Sequence, residues 1–330
     1  EIRAGGEVLL LPSVPRDLSG VTYTVEGKAF SLDKHMETLS VGGLLVLDKG
    51  NIVYEKYGLK NGESSRWIGF SVAKSVTSML IGAAIQDGYI ASVDDLVTDY
   101  LPRLRGSAYD GATIENVLNM ASGVAWNEDY FDPESDVSKA GGFNAMELFD
   151  YLNTLEVSGK PGEKFNYSTG ETNLVGAILR AAIGNNASAY LEYKIWKPFG
   201  MESDASWVID AKYGAELGGC CLNATLRDYA RIGLFAMNDG VLADGTRVLP
   251  EGWMKASTSP SKGYKGYGYL WWLMPDGTYA AQGIFGQLIW INPMTETIIV
   301  THSAWPQAVG ENLREHRWAM VSAIQDALTK

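Results

Sequence analysis

The chain has 330 residues, of which 46% are hydrophobic and 20% are charged, the usual composition of a globular protein with one large domain or two. The net charge of −12 at pH 7 argues against nucleic acid or an anionic membrane as a partner, because both need a basic surface. No apolar run reaches the ~20 residues that span a bilayer, so we expect a soluble protein that acts on a small molecule.

Two hairpins are predicted, one near each end of the chain. Residues 43–57 contain two β-rich runs joined by a Lys-Gly-Asn turn, and residues 287–302 contain two more around the turn at 293–296. A helix with apolar spacing follows over 313–328. Because strands come from both ends of the chain, we expect one sheet built from both termini.

The middle of the chain is predicted to be mainly helical. We therefore expect residues 1–86 and 225–330 to form a discontinuous α/β sandwich domain, with residues 87–224 as an inserted helical domain. A cleft between two such domains is a usual place for a functional site. The helical patterns lie at 114–121, 145–154, 172–183 and 187–196.

Ser71 and Lys74 are the most informative pair in the sequence. They lie three residues apart at the start of an apolar run that continues over 79–85, which predicts a helix buried on most sides. Residues i and i+3 share one helix face, so the Lys74 amine could be the base for a Ser71 nucleophile. If Ser71 lies in the first turn, its N–H could also point at a developing oxyanion. The alternative is an exposed serine and lysine on a surface helix, because the S-x-x-K pattern is short.

Tyr167 is a candidate for the acid that such a site needs for its leaving group. It lies in the turn-rich segment 161–170, which runs into a predicted helix. Taken alone, a tyrosine in that position is more often a packing aromatic.

The other reactive residue types give no second candidate. Cys220 and Cys221 are adjacent, a spacing at which a disulfide is strained and rare, so we interpret them as small buried residues. None of His35, His302 and His316 follows a G-x-S-x-G elbow, and no metal-ligand motif occurs. We therefore expect neither a Ser-His-Asp mechanism nor a metal or other cofactor.

Together these segments resemble the serine β-lactamase and penicillin-binding-protein superfamily, in particular its class C-like branch of esterases, D-aminopeptidases and 6-aminohexanoate-dimer hydrolases. The resemblance covers nearly the whole chain. It implies an α/β (α+β) fold of the β-lactamase/transpeptidase type, an antiparallel sheet flanked by helices with an inserted all-α domain. Its markers here, in the right order, are Ser71-Val72-Ala73-Lys74, Leu118 to Val124, Pro161-Gly162 leading into Tyr167-Ser168-Thr169, and Gly218-Gly219 leading into 224–231.

The resemblance implies roles for three residues. Ser71 resembles the nucleophile, Lys74 its proton acceptor, and Tyr167 the partner that relays the proton to the leaving group. Lysine and tyrosine have ordinary pKa values of ~10.4 and ~10, which burial of the amine and a nearby ammonium would lower. The pair would share one proton as a coupled unit, so the base is not assigned to either residue alone.

The third marker of the family is a strand with Lys-Thr-Gly or His-x-Gly beside the nucleophile, and its best match is Ala281-Gln282-Gly283. In β-lactam-binding members the lysine helps to hold the substrate carboxylate, so its absence here argues against strong β-lactamase or peptidase activity. By resemblance, Ile284 N–H would be the second oxyanion donor on a continuing strand, with Gln282 and Gly283 beside the substrate. We expect the strand of His302 to neighbour that of Gly283, so His302 could line the cleft. The alternative is an ordinary interior strand glycine.

Residues 126–136 resemble the loop that carries a second tyrosine over the active site in 6-aminohexanoate-dimer hydrolases. Tyr130 is the matching position, and a phenol there could hydrogen-bond to an amide leaving group. The acidic residues of the loop, with Asp136 at its end, could attract a substrate ammonium. The alternatives are an aromatic that caps the helical domain and a solvated run of charges.

We therefore expect a serine hydrolase that forms an acyl-enzyme on Ser71 and cleaves small carboxylic esters, with linear amides such as the 6-aminohexanoate dimer as further substrates. The enzymatic alternative is a weak class C-like β-lactamase or D-aminopeptidase. The alternative from another class is a penicillin-binding-like sensor that is acylated without turnover. A homodimer is compatible with the sequence. The chain starts at Glu1 without a charged-then-apolar leader, so the compartment stays open between periplasmic or secreted and cytoplasmic.

Overall fold

The structure is a computed structural model and describes residues 1–329, which fold into a mixture of strands and helices. The strands are β1 (Thr22–Val25), β2 (Lys28–Ser31), β3 (Val41–Asp48), β4 (Asn51–Tyr57), β5 (Trp67–Ile68), β6 (Ser206–Trp207), β7 (Leu222–Ala224), β8 (Trp272–Leu273), β9 (Tyr279–Gln282), β10 (Leu288–Asn292) and β11 (Thr297–Ser303). The α-helices are α1 (Leu32–Thr38), α2 (Val72–Gln86), α3 (Val97–Tyr100), α4 (Ile114–Leu118), α5 (Asp136–Ala140), α6 (Ala145–Leu152), α7 (Thr169–Ile183), α8 (Ala187–Leu191), α9 (Leu226–Met237), α10 (Trp253–Ser257) and α11 (Glu311–Thr329). Short 3-10 turns lie at Pro102–Leu104 and Ile284–Gly286, and a π turn lies at Glu192–Trp196.

Strands from both ends of the chain form one six-stranded sheet in the order β4-β3-β11-β10-β9-β8. All its pairs are antiparallel, and both predicted hairpins, β3–β4 and β10–β11, are present. The expectation of one antiparallel sheet that contains strands from both termini is confirmed. The predicted boundaries of the inserted domain, 87–224, stay a prediction.

Alternate residues of the central strands enter two separate cores. Leu44 and Val46 face a core that contains residues of α1 and α11, whereas Leu45 and Leu47 face a larger core that contains residues of α2, α7 and α9. Each of these leucines is fully buried, and full burial of such a side chain contributes about 1.5–3 kcal/mol. A slip of one residue in the pairing would exchange the two faces, so this burial fixes the register.

Helix α2 runs through the larger core, and every residue from Val72 to Ala84 is buried. It packs against α7, the helix that begins at Thr169. The first turns of both helices therefore have fixed positions beside each other. No helix within residues 1–329 has the length and apolar character needed to cross a membrane.

Two local predictions are corrected by the structure. The strand with Gly283 does not continue: β9 ends at Gln282, and a 3-10 turn separates it from β10. Cys220 and Cys221, interpreted as separate small residues, are joined as a vicinal disulfide. The backbone of Cys221 has a φ of +96° directly before β7.

Candidate active site

Two cavities meet at Ser71. The aliphatic cavity, about 350 Å³, is named for the side chains of Val137, Ala140 and Leu148 in its lining. The aromatic cavity, about 410 Å³, is named for those of Tyr167, Trp272, Trp305 and Trp318. Ser71, Tyr130 and Ile284 line both cavities and therefore form their boundary.

Ser71 lies directly before α2, where the sequence predicted the helix to begin. The preceding residue, Phe70, has a φ of +45°, a conformation that costs a bulky side chain on the order of 1–3 kcal/mol. Ser71 itself is 9% exposed, and it lines both cavities. The strained turn thus presents a serine at the buried end of a helix, a position with unpaired backbone donors.

Lys74 is buried in the first turn of α2, and its Nζ donates to the Gly219 carbonyl oxygen at 2.7 Å and to Thr169 Oγ1 at 3.1 Å. Within residues 1–329 no hydrogen bond joins the Lys74 Nζ to the Ser71 side chain, and the amine instead donates to two other segments. Burial lowers the pKa of the Lys74 amine to about 8, and the negative charge of Glu128 partly opposes this shift. The amine is therefore much closer to neutral than an exposed lysine.

Tyr167 lies two residues before α7, and the Ser71 side chain is close enough to its hydroxyl to affect the pKa of the phenol. Its ring stacks on Trp272 at a centroid distance of 5.5 Å, and the Lys74 Nζ lies 5.5 Å from the centroid of the tyrosine ring. Burial and the charge of Glu128 raise the pKa of Tyr167 well above its usual range, against the opposing effect of the Ser71 side chain. The phenol is therefore protonated at neutral pH.

Glu128 is the central hydrogen-bond acceptor of the site. From the sequence it was only one of the acidic residues of the loop 126–136. Its carboxylate accepts hydrogen bonds from the Tyr130 hydroxyl at 2.7 Å and the Thr169 backbone N–H at 2.9 Å. It also accepts from Thr169 Oγ1 and from Trp126 Nε1. These contacts tie the loop to the positive end of the α7 dipole. They also orient Thr169, an acceptor for the Lys74 amine.

The predicted oxyanion donors lie beside two strained phenylalanines. Neither Ser71 N–H nor Ile284 N–H donates to another backbone carbonyl within residues 1–329. Phe285 follows Ile284 with a φ of +58°, and its ring packs on that of Phe70 at a centroid distance of 5.3 Å. This aromatic pair joins the two segments that carry the free N–H groups. Two backbone donors at one cavity are suited to a developing negative charge.

Glycine is required at position 283 by the approach of another segment. A Cβ atom there would lie 2.3 Å from the carbonyl oxygen of Gly69, which no side chain tolerates. The absence of a side chain therefore lets the end of β9 reach the strained turn before Ser71. Gln282 lines the aromatic cavity, and its Oε1 accepts a hydrogen bond from Arg317 Nη1 at 2.7 Å.

The structure does not bring Asp136 and His302 into either cavity. The Asp136 carboxylate accepts hydrogen bonds from the Asn127 backbone N–H and the Tyr151 hydroxyl, so its oxygens serve the loop itself. His302 is buried and stacks on Trp67, and burial lowers its pKa to about 3. Its strand, β11, is separated from β9 by β10, so the expected proximity to Gly283 is wrong.

Comparisons with known proteins identify the family of the chain. A family model described as Beta-lactamase matches residues 32–321. The 6-aminohexanoate-dimer hydrolase of Paenarthrobacter ureafaciens is 30% identical over 300 residues, which cover 83% of this chain and 75% of that protein. A Bacillus anthracis structure provisionally described as a 6-aminohexanoate-dimer hydrolase has a TM-score of 0.87 at 22% identity, over 99% of this chain and 90% of its own. A class C beta-lactamase from Rhodobacter sphaeroides has a TM-score of 0.65 at 14% identity, over 89% of this chain and 97% of its own.

Proposed function

The chain belongs to the beta-lactamase family and is a serine hydrolase similar to 6-aminohexanoate-dimer hydrolase, and we propose that it cleaves small carboxylic esters and linear amides through an acyl-enzyme on Ser71. The observation that carries this proposal is the meeting of three groups at the junction of two cavities. A serine hydroxyl next to a protonated phenol lies beside a buried amine of lowered pKa. That set of groups suits acyl transfer.

In the proposed mechanism the Ser71 oxygen attacks the substrate carbonyl carbon, and the Ser71 proton passes to the coupled Lys74 and Tyr167 pair. The oxyanion accepts hydrogen bonds from the N–H groups of Ser71 and Ile284. As the intermediate collapses, the bond to the leaving group breaks, and the leaving group takes its proton through Tyr167. Water then attacks the acyl-enzyme, gives its proton to the same pair, and releases the acid with Ser71 protonated again.

The pKa shifts of Lys74 and Tyr167 support the roles of proton acceptor and proton donor proposed for them. With the pKa of Lys74 at about 8, about one amine in ten is neutral at pH 7 and can accept a proton. Tyr167, whose pKa is raised, keeps its proton until the leaving group develops charge. Because the two groups are coupled, the base that a kinetic experiment detects belongs to the pair.

Ester cleavage demands less of the site than amide cleavage. An alkoxide or phenolate leaves with little protonation, whereas an amine must be protonated as the bond breaks. Tyr130 lies at the boundary of both cavities, where its hydroxyl could contact an amide leaving group. The amide half of the proposal rests on Tyr130 and on the name of the relative from Paenarthrobacter ureafaciens.

The test is hydrolysis of p-nitrophenyl acetate and of the linear 6-aminohexanoate dimer by the wild type and by Ser71→Ala. We expect sustained turnover of both by the wild type, and a loss of at least about 10³-fold in the variant. Ser19→Ala, which removes an exposed serine, is the matched control and should keep full activity. Turnover of the ester without turnover of the dimer would reject the proposed cleavage of linear amides. A single burst equal to the enzyme concentration would indicate the acylated sensor instead, and turnover that survives in Ser71→Ala would reject the nucleophile.

A further inference from the structure

A disulfide forms part of the wall of the aliphatic cavity, which meets the aromatic cavity at Ser71. Cys220 and Cys221 both line the aliphatic cavity, and they are the two cysteines of the chain. Cys221 is buried, whereas Cys220 is partly exposed and is therefore the more accessible of the two. The proposed mechanism uses neither residue. The active site thus contains a reducible bond that has no part in the hydrolysis itself.

The disulfide lies on the side of the site where the acyl chain of a substrate would extend. Tyr167 lines the aromatic cavity and does not line the aliphatic one. In the proposed mechanism Tyr167 gives its proton to the leaving group, so the leaving group must lie in the aromatic cavity. The acyl chain then extends from Ser71 into the cavity that Cys220 and Cys221 line.

The backbone of Cys221 has a conformation that the disulfide helps to hold. Its φ of +96° lies in the left-handed region, which few residues with a Cβ atom adopt. A bond between the side chains of two neighbouring residues closes a small ring, and this ring removes conformations that the open chain could adopt. When the bond is broken, only the surrounding packing and hydrogen bonds oppose the return of Cys221 to a negative φ.

Carbonyl oxygens on both sides of the disulfide accept hydrogen bonds from the catalytic region. The Gly219 oxygen accepts from Lys74 Nζ at 2.7 Å. The Leu222 oxygen accepts from the backbone N–H of Gly69 at 2.8 Å, in the strained turn that leads to the nucleophile. Both oxygens lie within two residues of Cys221, so a rotation of its backbone moves them relative to their donors. The conformation of Cys221 is therefore coupled to the base and to the turn that presents the nucleophile.

We propose that the bond between Cys220 and Cys221 is a reversible modification site: the disulfide form is the active enzyme, and reduction by a small dithiol lowers its rate of hydrolysis. A thiolate of the reductant attacks Sγ of Cys220, the S–S bond breaks, and Cys221 leaves as a thiolate that takes a proton from solvent. The second thiol of the reductant loses its proton and displaces Cys220, which is protonated in turn. Two electrons thus pass from the dithiol, which ends as a disulfide, to the protein, which ends with two thiols. This inference rests on the proposed function, because hydrolysis is the activity that is controlled.

The first test compares the two redox states of the wild type. One sample is treated with oxidised glutathione and another with dithiothreitol, the reagents are removed, and free thiols are counted in denaturant. We expect no thiols in the first sample and two in the second, because the chain has no other cysteine. Reduction should lower kcat/KM for p-nitrophenyl acetate at least about tenfold, since a small displacement of a catalytic group can cost more than this, and reoxidation should restore it. Reduced Ser71→Ala measures the direct reaction of the thiols with the ester, which is subtracted.

Two substitutions separate the bond from the backbone conformation that it holds. Cys221→Ala and Cys221→Gly both remove the disulfide, but only glycine adopts a φ near +96° without a steric cost. We expect neither variant to respond to dithiothreitol or oxidised glutathione. We also expect kcat/KM of Cys221→Gly to be at least about fivefold above that of Cys221→Ala, because alanine is disfavoured at a positive φ.

A third measurement needs no turnover. Reduction of the wild type should speed amide hydrogen exchange at Gly69, because its N–H loses the Leu222 oxygen as a fixed acceptor. Mass spectrometry of peptides that contain Gly69 measures this rate in both redox states. Faster exchange in a protein without esterase activity in either state would count against the proposed function and support the redox coupling. Unchanged exchange would overturn the coupling.

Three further results would overturn the proposal. The first is an equal kcat/KM for the protein without thiols and the protein with two. The second is a pair of thiols that oxidised glutathione does not remove, and the third is an equal kcat/KM for Cys221→Gly and Cys221→Ala. If Cys221→Ala does not fold, as judged by circular dichroism, the comparison of the two wild-type states decides, because it needs no substitution.

Discussion

The aromatic cavity is built mainly from the C-terminal part of the chain, whereas the aliphatic cavity is built from α5, α6 and the segment 215–221. The first has flat aromatic walls and two arginines, and the second has small and branched apolar side chains with three buried charged residues, Arg180, Asp210 and Glu216, in its lining. A fixed charge on a long helix favours one position of a ligand group. The contrast teaches that the two sides of Ser71 offer different surroundings to a ligand, aromatic rings and cations on one side and mainly small apolar side chains on the other.

The largest effect is expected at Lys74, beneath the junction of the two cavities. Lys74→Ala should lower kcat/KM for both an ester and an amide by about 10²–10⁴-fold, the contribution of a positioned base. In the wild type, kcat/KM should rise with pH through about 8, because burial lowers the pKa of this amine to that value and only the neutral form accepts a proton. A pH-rate series with p-nitrophenyl acetate measures the rising limb.

Lys194→Ala is the control for that substitution, because Lys194 pairs with Asp87 and lines neither cavity. It should keep both the rate and the pH profile of the wild type. A wild-type profile that is flat between pH 6 and pH 9 would contradict the assignment of the base to the pair that contains Lys74.

A smaller effect is expected in the aliphatic cavity, where Leu148 is half-buried in the lining. Leu148→Trp should fill space that a long acyl chain needs, and therefore lower kcat/KM for p-nitrophenyl hexanoate by about tenfold or more relative to the acetate. The comparison of chain lengths on one leaving group measures this effect. Equal losses on acetate and hexanoate would place the acyl chain elsewhere and break the contrast between the cavities.

The smallest effect is expected at the boundary, at Tyr130. Tyr130→Phe removes a hydroxyl that donates to Glu128, and it should lower amide turnover by about fivefold, the value of one hydrogen bond, while ester turnover changes less. The ratio of the two rates for wild type and variant is the measurement. An equal loss on both substrates would indicate that Tyr130 only holds the loop in place through Glu128.

The parts of the site that lie close in sequence could be predicted. Ser71 and Lys74 were singled out because an i, i+3 pair heads an apolar helix, and the two hairpins were predicted because apolar runs and a turn specify them locally. Each of these signals needs only a short stretch of chain. The role of Tyr167, in contrast, was implied by the resemblance to the family, because a tyrosine in a turn-rich segment is by itself more often a packing aromatic.

The parts that depend on the packing of distant segments were missed. Glu128 was treated only as one of several acidic residues of the loop 126–136, since nothing near it in sequence shows that Thr169 and Trp126 would surround its carboxylate. Arg317 was overlooked because the pattern of α11 does not show which of its residues face a cavity. His302 was placed wrongly because strand order cannot be derived from hairpins alone.

The most direct test of the account is the identity of the residue that carries the acyl group. Enzyme that is turning over p-nitrophenyl acetate is quenched with acid and digested with trypsin, which cuts after Arg66 and Lys74. The resulting peptide, residues 67–74, contains Ser71 as its only hydroxyl-bearing residue. The account predicts an acetyl group on this peptide, with normal cleavage after Lys74. Turnover with the acetyl group on another peptide, or on Lys74, where it would block that cleavage, would contradict it.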